Sequence, residues 1–153
     1  VISKVPLPRV PTEKVWENAA VSLYMNSPVL VGTTLYGMTH RNRGQFFAAE
    51  AATGKTLWTT RGREAENAAI VSSGTLLFLL KTDAELVIAR PNAASFDVLR
   101  RYTVADSSTW AHPVVDGGGS VLLVGGERAG QGPYSFRQPD DFRHYACLIL
   151  ASR

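Results

Sequence analysis

The sequence predicts an all-β fold made of repeated four-stranded antiparallel units, on three observations. Two sets of landmarks recur at one spacing, short apolar runs alternate with Gly- and Asn-containing turns, and no long helical stripe is present. The first landmark is an aromatic residue closing a β-prone run: Trp16 after Glu13-Lys14-Val15, and Trp58 after Lys55-Thr56-Leu57, 42 positions later. Tyr102 closes Val98-Leu99-Arg100-Arg101 a further 44 positions on. The second landmark is Asn26-Ser27-Pro28-Val29-Leu30-Val31-Gly32, which returns as Asn67-Ala68-Ala69-Ile70-Val71-Ser72-Ser73-Gly74 and as Ala111-His112-Pro113-Val114-Val115-Asp116-Gly117. Two independent markers with one period are hard to obtain by chance. A period of about 40–45 residues is the blade of a β-propeller, four short strands to each. The 153 residues then hold about two and a half to three blades, a partial ring.

Taken in order, the elements justify that reading. Residues 1–19 form an N-terminal segment ending in an orphan outer strand around Trp16, with at most a short helical turn near Val15 to Val21. Residues 20–61 form blade 1. Its inner strand leads to Gly32, then to Thr34-Leu35-Tyr36-Gly37-Met38, a polar turn at His40-Arg41-Asn42-Arg43-Gly44, the strand Gln45-Phe46-Phe47-Ala48-Ala49, and the tight turn Ala52-Thr53-Gly54-Lys55 before Trp58. Residues 62–105 form blade 2, with Thr75–Leu80, the turn Lys81-Thr82-Asp83-Ala84, and Glu85-Leu86-Val87-Ile88-Ala89 in the same order. Apolar, β-branched and aromatic runs of four to six between such turns read as strands. Residues 106–126 begin blade 3 with Val121-Leu122-Leu123-Val124. Residues 127–153 are an atypical tail with one credible strand, His144 to Leu150, which either completes that blade irregularly or is foreign to the repeat.

Composition excludes several classes. At 45% hydrophobic and 19% charged residues the chain is globular. The net charge of +3 is spread over Arg41/Arg43, Arg61/Arg63 and Arg100/Arg101. No basic stripe interleaved with exposed aromatics supports nucleic-acid binding. No apolar stretch reaches the roughly 18–20 residues that span a bilayer, and Val1 to Pro11 lacks the layout of a signal peptide. Cys147 is the single cysteine, so no intrachain disulfide or thiolate metal cluster forms, and it reads as a small hydrophobe. The redox compartment stays open. No nucleophile elbow, zinc-binding His pair, phosphate loop or EF-hand is present.

The segment Gly44-Gln45-Phe46-Phe47-Ala48-Ala49-Glu50-Ala51-Ala52-Thr53-Gly54-Lys55-Thr56-Leu57-Trp58 resembles the signature of the pyrroloquinoline-quinone-like propeller repeat. The resemblance covers roughly Glu13 to Val124, is strong in blade 1 and looser in blade 2, where Ala93-Ala94-Ser95 replaces the Thr-Gly turn, and fades after Gly125. It implies that Trp16 and Trp58 are wedges between neighbouring blades, with Tyr102 a weaker substitute. It does not carry over the quinone activity. Those enzymes need a full ring around pyrroloquinoline quinone, a vicinal cysteine pair and a calcium site, whereas this chain has one cysteine and too few blades. The better analogy is with non-catalytic relatives, such as the periplasmic lipoprotein scaffold of outer-membrane protein assembly. A periplasmic location is suspected on that resemblance alone.

Propellers close as rings of about four to eight blades. Leaving several hundred Å2 of apolar blade face wet would cost on the order of 10 kcal/mol. The expectation is therefore a homo-dimer or homo-trimer, with the Trp16 strand free to complete a blade of a neighbouring copy. The rival is that the chain is part of a longer gene product. Another protein is a further candidate partner.

The starts of the innermost strands line the channel of a propeller, which places Asn26, Ser27, Glu66, Asn67, Trp110 and His112 there. The first expectation is a binding or scaffolding module. The alternative is a hydrolase of the ester or phosphotriester type, with Glu66 and His112 as bases or ligands of a divalent cation and Asn26 and Asn67 as orienting groups. His40, in a polar turn with Arg41 and Arg43, reads as solvated.

Overall fold

A computed structural model describes residues 14–110 and 112–115 in full, and the backbone of two further strands at 120–124 and 145–149. It contains two four-stranded antiparallel sheets and one three-stranded sheet. Blade 1 runs β1 (Val29–Val31), β2 (Thr34–Thr39), β3 (Gln45–Glu50) and β4 (Thr56–Thr59), each strand pairing with the next. Blade 2 repeats the meander as β5 (Ala68–Ser72), β6 (Leu77–Lys81), β7 (Glu85–Arg90) and β8 (Asp97–Thr103). In the third sheet β10 (Ser120–Val124) lies between β9 (Val114–Val115) and β11 (Tyr145–Ile149). The tail strand therefore belongs to the third sheet, with Val124 opposite Tyr145 and Ser120 opposite Ile149. Residues 14–18 form neither the expected outer strand nor a helical turn, having no described neighbouring strand to pair with, and a turn follows at 19–20.

The two middle strands of each blade are buried on both faces, which is why β2, β3, β6 and β7 read as nearly unbroken apolar runs. Tyr36, Met38, Phe46 and Ala48 of blade 1 face Ala68, Ile70, Leu77, Leu79, Val87 and Ala89 of blade 2 in one core layer. On the far side of blade 2, Phe78, Leu80, Leu86 and Ile88 form a second layer, against which Val115 of β9 packs. The outer strands are half exposed: in β4 the residues alternate between half-buried and exposed.

The tryptophan wedge is visible twice. Trp58 Nε1 donates to the carbonyl of Asn92 at 2.8 Å, in the β7–β8 turn of the next blade. Its ring stands 5.6 Å from that of Phe96 and 6.2 Å from that of Tyr36, and Phe96 in turn meets Phe46 at 5.2 Å. Trp16 repeats the bond one blade earlier, donating to the carbonyl of Ala51 at 2.8 Å in the β3–β4 turn. Gly54 sits at that turn with φ +71, and a Cβ there would lie 2.3 Å from the Trp16 ring. Both the left-handed backbone and the docked indole demand glycine. In blade 2 an Asx turn does the job without one: Asn92 Oδ1 accepts from the Ala94 amide at 2.8 Å. Tyr102, on the equivalent strand, is 36% exposed, and the turn on which it would dock lies outside the described residues.

Candidate functional site

Strands alternate in direction within each blade, so one end of the structure gathers the residues entering β1, the β2–β3 connection, the residues between β4 and β5, the β6–β7 connection and those entering β9. Asn26 and Ser27 precede β1, Glu66 and Asn67 lie between β4 and β5, and Trp110 and His112 precede β9, so these six candidates lie at this end. Two cavities open there. The larger, a recess of about 510 Å3, is lined by Tyr24, His40, Arg43, Gly44 and Glu66. The smaller, a crevice of about 20 Å3 with room for about one water, is lined among others by Met25, Asn67, Thr109, Trp110 and His112.

Asn26 and Asn67 meet. Asn26 Nδ2 donates to Asn67 Oδ1 at 3.0 Å, and Asn67 Nδ2 donates to the carbonyl of Met25 at 2.9 Å. Asn67 Oδ1 also accepts from the Ala68 amide at 2.9 Å, and the Asn67 amide donates to Thr82 Oγ1 at 3.2 Å. With its donors and acceptor engaged and 8% of its surface exposed, Asn67 is a clasp between the inner edges of two blades. Asn26 Oδ1 is buried without a hydrogen-bond partner among the described residues. Ser27, by contrast, is exposed.

Glu66 and His112 line different cavities: Glu66 faces the recess with His40 and Tyr24, and His112 the crevice with Trp110. The histidine the structure sets beside Glu66 is His40, its ring 6.1 Å from that of Tyr24 in an edge-on contact. Nothing in the sequence announced this pairing, because Tyr24 and His40 belong to separate segments joined only by the blade's closure. Trp110 is 56% exposed at the rim of the crevice.

A second feature missed from sequence is the ion network at the β6–β7 turn. Lys81 Nζ lies 3.0 Å from Asp83 Oδ2 and 2.8 Å from Glu85 Oε2, with 7% of its side chain exposed. Arg101 Nη1 meets the same Glu85 oxygen at 2.8 Å. Burial pulls the Lys81 ammonium down, but the bonds and charges of Glu85 and Asp83 outweigh it and hold the group above its ordinary value. Burial likewise pushes the Glu85 carboxyl up, while Lys81 and then Arg101 override it and hold it below the usual range.

No three His, Cys, Asp or Glu side chains cluster around one point among the described residues. Calcium wants six to eight oxygen ligands, and the recess offers the single carboxylate of Glu66. Among the described residues the recess therefore does not offer the oxygen set of a calcium site. Among the described residues no helix is long and apolar enough to cross a membrane.

No family model and no curated protein sequence matches the chain. Among solved structures, the crystal structure of BamB from Moraxella catarrhalis superposes with a TM-score of 0.52 and 18% sequence identity, over 72% of this chain. The fold is that of a β-propeller. The match takes in 33% of the BamB chain, so this chain spans about a third of that neighbour's length.

Proposed function

We propose that this chain is a non-catalytic binding and scaffolding propeller module whose ring is closed by self-association into a dimer or trimer. The carrying observation is the outward face of blade 1. Leu30 is 59% exposed and Leu57, which points away from the neighbouring Trp58, is 39% exposed. The opposite face of the same sheet is packed against blade 2. On the outward face Phe47 and Ala49 of the middle strand are buried while Leu30 and Leu57 of the flanking strands stay open, so the blade keeps apolar surface that a further blade would cover. A copy of this chain supplies the missing neighbour, and the extra blades of a longer product would do the same. The separation of Glu66 from His112 into two cavities favours binding over hydrolysis. The family resemblance supports a periplasmic, partner-binding role, as in the non-catalytic relatives.

The test is the mass in solution, by light scattering on a sizing column at two concentrations. A single dimer or trimer is the expected result. A monodisperse monomer at both concentrations refutes closure by copies.

A further inference from the structure

The sequence separates Arg41 and Arg43 from Arg61 and Arg63 by 20 positions, about half a blade, and each duo alone reads as a solvated loop. The structure zips them together. The Arg63 amide donates to the carbonyl of Asn42 at 2.9 Å, the Glu64 amide to Gly44 at 3.1 Å, and the Thr60 amide to Phe46 at 2.9 Å. Gln45 Nε2 adds a bond to the carbonyl of Thr60. Four guanidinium groups are thereby presented from one corner of blade 1, and all four residues are exposed.

Two properties separate this corner from an ordinary solvated surface. First, its charge is left open. Lys14, Lys81, Arg90 and Arg101 each meet a carboxylate, whereas none of the four arginines does so among the described residues. Arg41 Nη2 is held instead by the carbonyl of Ala19 at 2.7 Å. Across residues 40–44 and 60–66 only Glu64 and Glu66 offset them, leaving a formal excess of two positive charges. Secondly, the corner is stiff. Asn42, Arg43 and Arg63 hold φ of 51, 60 and 60, and a Cβ on Gly62 would fall 2.7 Å from the Asn42 carbonyl oxygen. The turns fix where the four side chains leave the backbone, Arg41 is held at Ala19, and planar guanidinium forks match the geometry of carboxylates.

Arg43 also lines the 510 Å3 recess, so the charged corner and the cavity are continuous. Tyr24, 67% exposed, presents its ring there beside His40. We infer that this corner docks an extended acidic segment of a partner protein, with the partner's carboxylates on the arginine forks and an adjacent aromatic or large apolar side chain in the recess. The carboxylate of Glu66 in the recess wall opposes a run of phosphates, which favours a peptide over a nucleic acid. This deepens the binding-module reading and rests on it.

The experiment is fluorescence anisotropy with labelled short peptides on the full chain. One probe is rich in Asp and Glu with a central Phe. A second replaces that Phe with Ala, a third replaces the acids with Lys, and a single-stranded oligonucleotide of matching charge is the fourth. The acidic Phe peptide should bind saturably, weaken with salt, and lose about tenfold or more in affinity with the doubly charge-reversed Arg41→Glu/Arg61→Glu. Arg61→Lys should recover only part, since the point charge lacks the fork, and the Phe-to-Ala peptide should bind more weakly. Equal binding by the charge-reversed variant, tighter binding of the oligonucleotide, or binding of the Lys peptide overturns the inference. Light scattering on the same samples separates the two readings. An assembled ring that ignores the acidic peptide sinks the docking corner alone, and a monomer that binds no probe sinks both.

Discussion

Replacing Trp58 tests whether the indole is the wedge that joins the two blades. Trp58→Ala removes ring contacts to Tyr36 and Phe96 and the 2.8 Å bond to Asn92. Truncating a well-buried large aromatic costs about 3–5 kcal/mol. Trp58 is only half-buried, which puts the packing loss near the bottom of that range, and the freed carbonyl adds about 1 kcal/mol. The sum, roughly 3–4 kcal/mol, is a large share of a domain's ~5–15 kcal/mol. At this chain length it lowers Tm by about 6–16 °C. Trp58→Phe keeps most of the ring and loses the bond, for about 1 kcal/mol. Urea unfolding followed by circular dichroism measures this as a shift in midpoint at constant slope. Trp58→Ala combined with Phe96→Ala should show a coupling of about 0.5–1.5 kcal/mol between two rings that touch across the blade boundary. Additive losses in that cycle, or a Trp58→Ala cost below about 1 kcal/mol, would refute the wedge.

Gly44→Ala should destabilise severely and Gly74→Ala mildly. Both have positive φ, but a Cβ at Gly44 would lie 2.0 Å from the Ala65 carbonyl oxygen and one at Gly74 meets nothing within 4 Å; thermal melts of the two compare them. Asn67→Ala should cost about 1–3 kcal/mol by releasing the inter-blade clasp and orphaning the Asn26 amide, read from urea midpoints. The Lys81 network predicts a two-sided pH dependence. Glu85 has a folded value below its unfolded one, so its stabilisation is present above the unfolded value and is lost as pH falls through the folded value. Lys81 has a folded value above its unfolded one, so its share is complete below the unfolded value and is lost as pH rises through the folded value. Lys81→Met should flatten both limbs of Tm against pH, and unchanged limbs would contradict it. Leu30→Glu, on the open face of blade 1, should leave the monomer folded and abolish any dimer or trimer seen by light scattering.

Blade architecture was legible because each blade restates the same local chemistry. A tight turn and an aromatic following it, Thr53-Gly54 with Trp58 in one blade and Asn92 to Ser95 with Tyr102 in the next, act within or next to one sheet, so their spacing survives as a sequence period. The bonds that join blades were legible only where they repeat: Trp16 to Ala51 and Trp58 to Asn92 span 35 and 34 positions. Contacts made once left no such trace. Asn26 and Asn67 stood out as landmarks, but their spacing does not say that one amide donates to the other. Lys81 read as part of a solvated turn because lysine is usually exposed. Its burial follows from the hairpin, which brings Glu85 back beside it, and from Thr109 Oγ1 capping the Lys81 carbonyl at 2.7 Å.

The two blades also show where function can vary without disturbing the fold. The β6–β7 connection has three residues, Thr82–Ala84, and its lysine is neutralised by Asp83 and Glu85. At the same position in blade 1 the β2–β3 connection has five, His40–Gly44, and carries two arginines with no described ion pair. Two extra residues change little in the loop-closure entropy, and the flanking strands keep their register, Thr39 opposite Gln45 in one blade and Leu80 opposite Leu86 in the other. The shorter loop satisfies its charges internally and so has little electrostatic work left to do on a partner. In the longer loop Arg43 and His40 border the recess, held in place by backbone bonds to the segment after β4. The docking inference thus falls where one blade departs from the repeat, because the repeated residues are engaged in holding neighbouring blades together.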